Sequence, residues 1–93
     1  MIYFAQSEKG GPIKIGYTNN NPKTRLASIQ TGNHEQLEIV CLIDGSLDKE
    51  RRIHNTFISI RLQGEWFLDY PQLTYYINWL KDRGYCKLTR TCF

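Results

Sequence analysis

Two short apolar stretches separated by a glycine turn constrain most strongly what this chain can become. Ile2 to Gln6 and Ile13 to Tyr17 each alternate as half-buried strands do, and Ser7 to Gly11, with Gly10-Gly11, reads as the turn between them. They predict an N-terminal antiparallel hairpin, and later segments must supply its cover. Asn19-Asn20-Asn21-Pro22 marks a helix start, with Asn as N-cap and Pro at the first helical position. That helix is expected to run to about Gln30 and to stop at Gly32. Leu37 to Ile43 is apolar and β-branched and reads as a third strand. Ser46 caps a second helix, continuing to about Ile60, with Asp48 and Glu50 placed to favour its dipole. Gly64-Glu65-Trp66-Phe67 is a turn into a short extended piece, and Pro71 opens a third helix ending near Gly84. The predicted order is β-β-α-β-α-α. This is an α+β fold, with helices flanking a three-stranded, mainly antiparallel sheet.

A chain of 93 residues has room for one core, so a single domain over residues 1–93 is expected. No apolar run approaches the roughly 18 residues of a membrane span, which excludes a helical membrane protein. Met1-Ile2-Tyr3-Phe4 leads straight into a strand, so no signal peptide is expected. Cys41, Cys86 and Cys92 form no C-x-x-C pair, and the odd number predicts reduced thiols in a cytoplasmic protein. Neither His34 nor His54 has zinc-ligand spacing with them. The formal charge is +3, yet residues 1–80 sum to zero. The excess lies in a basic tail, residues 81–93, where Lys81, Arg83, Lys87 and Arg90 face only Asp82. Such a tail suits an anionic partner such as nucleic acid or is simply solvated.

Polar groups stand where a core would prefer apolar ones. If Ile2, Phe4, Ile13 and Ile15 point inward, then Tyr3 and Lys14 converge on the outer face of the hairpin, with Gly16 leaving space beside them. That is either a solvated cross-strand pair or a site. Arg25 lies at the edge of the inward stripe set by Leu26 and Ile29, so its stem covers the core while its guanidinium reaches over the sheet. Glu50 and His54 fall within the apolar arc of the second helix, and Arg61 would join them if that helix persisted. Charges on a buried face need partners. The pair is thus either a structural couple or a polar pocket in which Glu50 orients His54. Glu65, between a Gly and two aromatics, is one carboxylate of the kind that serves Mg²⁺.

Five segments, in order, resemble the GIY-YIG nuclease superfamily. Ile2-Tyr3-Phe4 is similar to its first motif, without the initial Gly. Ile13-Lys14-Ile15-Gly16 is similar to its second, with Lys in place of the usual Tyr. Asn21-Pro22-Lys23-Thr24-Arg25, Glu50-Arg51-Arg52-Ile53-His54 and Gly64-Glu65-Trp66-Phe67 resemble motifs of a compact phage and bacterial branch. The resemblance covers roughly Met1 to Trp79. It implies Mg²⁺- or Mn²⁺-dependent hydrolysis of DNA phosphodiester bonds at a site of Tyr3, Lys14, Arg25, His54 and Glu65. By that resemblance Glu65 would hold the metal and Arg25 would stabilise charge on the phosphate. Either Lys14 or Tyr3 would deprotonate the attacking water. Many members carry His or Tyr four residues after the Arg, where this chain has Ile29, and His54 would supply the polar group instead. The alternative is a nucleic-acid-binding module that kept the fold with little or no catalysis, gripping phosphate through the tail. A protein-interaction domain using its C-terminal aromatics ranks third.

Overall fold

The structure is a computed structural model and describes residues 1–19 and 21–87. Its elements are β1 (Ile2–Ser7), β2 (Ile13–Tyr17), α1 (Pro22–Thr31), β3 (Leu37–Ile43) and α2 (Leu47–Thr56). A 3₁₀ turn (Ile58–Ile60), β4 (Arg61–Gln63), β5 (Trp66–Phe67) and α3 (Pro71–Asp82) follow. Of the expected basic tail, Arg90 lies outside the described residues, as does Cys92. Among the described residues, no helix is long and apolar enough to cross a membrane.

The class is α+β, but the expected three-stranded sheet and the β-β-α-β-α-α order are both overturned. The sheet has five strands in the order β3-β1-β2-β5-β4, every neighbouring pair antiparallel. The second helix stops at Thr56, and the segment assigned to its end and to the loop beyond it becomes a 3₁₀ turn and a second, very short hairpin. The three residues of β4 are all exposed, so they show no inside–outside alternation to read. Gly64, at φ +55°, makes the tight turn between β4 and β5. Arg61 therefore leaves the α2 face, and its Nε donates to the Gly64 carbonyl at 2.7 Å.

Both faces of the sheet are covered. Ile2, Phe4, Ile13, Ile15, Cys41, Ile43 and Phe67 form one core with α2 and α3 through Ile53, Phe57, Leu73, Ile77 and Leu80. Tyr3, Ala5, Ile39 and Leu42 form a smaller core on the other face, under Leu26 and Ile29 of α1. The outer hairpin face, read as either a solvated cross-strand pair or a site, is thus buried at β1, where Tyr3 has 0% exposure. The helix starts follow their capping residues. Asn21 Oδ1 accepts from Lys23 N at 2.8 Å and Ser46 Oγ from Lys49 N at 3.3 Å.

The expectation of reduced thiols is also overturned at two positions. Cys41 on β3 and Cys86, just past α3, are joined in a disulfide with Cα atoms 5.5 Å apart, inside the range a disulfide spans. The half-cystines are 45 residues apart in the chain, so no local spacing signals the pairing. The fold brings them together by laying the segment after α3 along β3, whose Leu42 carbonyl accepts from Lys87 N at 2.6 Å.

Candidate active site

The site is built where β5 ends. β5 pairs with β2 only at Ile13 and Lys14, and one step further Ile15 N donates to the Glu65 carbonyl at 2.9 Å. There the chain turns away through Gly64, and the ladder stops. The Ile15 carbonyl on the same strand edge is met by His54 of α2, whose Nε2 donates to it at 2.8 Å. A carbonyl can only accept, so this bond requires a proton on Nε2. The ring also packs edge-on against Phe67, centroids 5.0 Å apart.

Carboxylates from two elements converge on this notch. One ligand atom each from Glu50, His54 and Glu65 lies within 4.8 Å of the others. Glu50 is 6% exposed. Its burial pushes the carboxyl pKa up, the nearby charge of Glu65 pushes it further, and the attraction of His54 opposes the rise. The Lys14 ammonium reaches Glu65 at 3.1 Å, with the lysine side chain 14% and the glutamate 33% exposed. It also lies 5.5 Å from the centre of the Trp66 ring, its cross-strand partner.

From the α1 face, Tyr3 and Arg25 form a second pair, with Arg25 Nε donating to Tyr3 Oη at 3.0 Å. The tyrosine lies across from Gly16 in the β1–β2 register. A Cβ at position 16 would clash with Oη and Cζ at the hydroxyl end of the phenol, so only glycine lets the ring lie there. Burial raises the Tyr3 pKa, the charges of Glu65 and Glu50 add to the rise, and Arg25 works against it. The phenol therefore holds its proton over the ordinary range of pH.

Tyr3, Lys14, Arg25, His54 and Glu65 are thus brought to one region. Lys14 pairs with Glu65, Arg25 with Tyr3, and His54 stands beside Glu65. The member absent from that expected set is Glu50. Its signal was present in the sequence, as a carboxylate four residues before His54 on the inward arc of a helix, but was read only as a partner for His54.

The fold and this site define a small α+β domain. Its antiparallel sheet ends in a carboxylate–imidazole cluster flanked by Lys and Arg. Residues 1–81 match the T5orf172 domain, and the chain belongs to that phage-associated family, which is related to the nuclease-like fold family. No curated protein and no solved structure matches the chain.

Proposed function

We propose that the chain is a metal-dependent endonuclease of the GIY-YIG type that hydrolyses DNA phosphodiester bonds. The observation that carries this reading is the convergence of Glu50, His54 and Glu65 donors within 4.8 Å beside Lys14 and the Tyr3–Arg25 pair. The donor set fits a divalent cation. Two carboxylates suit Mg²⁺, and adding an imidazole suits Mn²⁺. A cation would also offset the mutual repulsion that helps raise the Glu50 pKa. When bound, Mg²⁺ or Mn²⁺ supplies polarisation of the phosphate and stabilisation of the leaving oxygen.

The protein's own groups divide the remaining work. Glu65 and Glu50 would hold the cation, with His54 beside them as a third donor. Arg25, with Nε spent on Tyr3, keeps its terminal NH₂ groups for the non-bridging phosphate oxygens, which a planar guanidinium meets two at a time. Tyr3 keeps its proton because it is buried, so it orients the attacking water by hydrogen bonding and is not the resting base. Of the two candidate bases that leaves Lys14, which pairs with Glu65 in its protonated form and would take the water's proton only as the free amine.

A second reading, a nucleic-acid-binding module without cleavage, is favoured by that same ion pair. A Lys14 ammonium held 3.1 Å from Glu65 takes up the carboxylate the cation needs. Incubation of supercoiled plasmid with Mg²⁺ or Mn²⁺ decides between them. The endonuclease reading expects nicking by the wild type and at least a hundredfold loss in Glu65→Gln. Absence of nicking, or equal nicking by the variant, selects the binding module.

A further inference from the structure

A ladder of aromatic rings climbs from the core to the surface at the C-terminal end of α3, outside the catalytic cluster. Tyr76, in contact with Phe57, stacks on Trp79 with centroids 6.3 Å apart and planes 12° apart. Trp79 in turn meets Tyr85 at 5.7 Å. Trp79 is 41% exposed and Tyr85 54% exposed. The rings border a cavity of about 540 Å³ that Lys49 and Lys87 also line.

The charges here favour an anion. Two cations, Lys49 and Lys87, line the cavity against one carboxylate, Asp44. The Arg83 guanidinium sits 5.1 Å from the centre of the Trp79 ring. Lys87 contacts Asp44 at 3.2 Å, but both side chains are largely exposed, and such a pair is exchanged at little cost. The wall is also held in place beforehand. The Cys41–Cys86 disulfide and the Lys87 N to Leu42 O bond fasten Tyr85 and Lys87 beside β3.

Partly exposed aromatic rings next to cations form the arrangement that binds unpaired bases. The base stacks on the aromatic surface and its phosphate meets the cation. A duplex hides its base faces, so it cannot use such a platform. We propose that this groove takes a nucleotide of single-stranded nucleic acid, its base against Trp79 and Tyr85 and its phosphate against Lys87 and Lys49. The inference rests on the nucleic-acid partner named above and adds a second contact outside the catalytic cluster, selective for unpaired strand.

The test is fluorescence anisotropy with a labelled twelve-nucleotide oligo-dT and a blunt duplex of equal length, in chelator, with the full chain. Oligo-dT is expected to bind more tightly than the duplex. Trp79→Ala should weaken it by about tenfold or more, consistent with loss of one base stack. Trp79→Phe should restore most of the affinity, and Lys87→Ala should lower the salt slope by about one. If Trp79→Ala melts at the assay temperature, Tyr85→Ala, at a more exposed position, decides in its place. Oligo-dT affinity unchanged by either alanine variant overturns the proposal. So does a wild-type dimer in sedimentation equilibrium that Trp79→Ala dissociates, which assigns the aromatics to self-association. Trp79-dependent binding without any plasmid nicking leaves this groove standing and removes the endonuclease reading. Nicking without Trp79-dependent binding does the reverse.

Discussion

Gly16 shows how a single missing side chain organises the site. It lies against the hydroxyl end of the Tyr3 ring, and any Cβ there would clash with it. Gly16→Ala is expected to destabilise the fold by about 1–3 kcal/mol, an overpacking cost, measured by urea denaturation. It should also reduce nicking, because the Tyr3 hydroxyl and its Arg25 partner must move together. The buried phenol makes a prediction with pH. Its folded pKa lies above its ordinary value of 10.0, so the folded protein binds that proton more tightly than the unfolded chain does. The associated stability is fully present below about pH 10 and is lost as pH rises through the folded pKa. Thermal melts from pH 8 to 11 should show an alkaline decline that is shallower in Tyr3→Phe. At this scale the sequence was informative about identity and direction. Alternation along two strands put Tyr3 and Lys14 on one face, and helical spacing put Arg25 at the rim. It was silent on burial, because whether a sheet face is wet depends on which helix lies over it.

Among the elements, α1 is the one whose local signals and functional load coincide. Asn21 caps it and Pro22 begins it, and the first turn carries Arg25. Asn21→Ala is expected to cost about 1 kcal/mol, read from chemical denaturation. Nicking should fall with it, because fraying of that turn loosens Arg25. The β4–β5 hairpin is the contrasting case. Two strands of three and two residues offer too few positions for a period to appear, and the β4 residues are all exposed. Helical signals running toward Ile60 absorbed the residues before it. Yet this hairpin carries Glu65, and its early end leaves the Ile15 carbonyl for His54. The legible elements thus supply four of the expected site residues, and the illegible one supplies the geometry.

Across the molecule, the disulfide is the long-range device. It closes a loop of 45 residues from β3 to the segment after α3. Reduction is expected to lower unfolding free energy by about 2–4 kcal/mol, the usual range for such a cross-link. Paired urea titrations with and without dithiothreitol measure it, and Cys41→Ser should match the reduced wild type within the cost of the substitution itself. Thiol titration of the denatured, unreduced protein checks the bond directly. Sequence alone settled the α+β class, the hairpin start, the helix caps and the placement of Tyr3, Lys14 and Arg25. Each of these follows from residues within a few positions of one another, where backbone period and capping chemistry act. Tertiary structure alone decided the fifth-strand edge, the burial of Tyr3, the entry of Glu50 into the cluster and the Cys41–Cys86 pairing. Those depend on contacts between segments far apart in the chain, and no local pattern encodes which distant surfaces will meet.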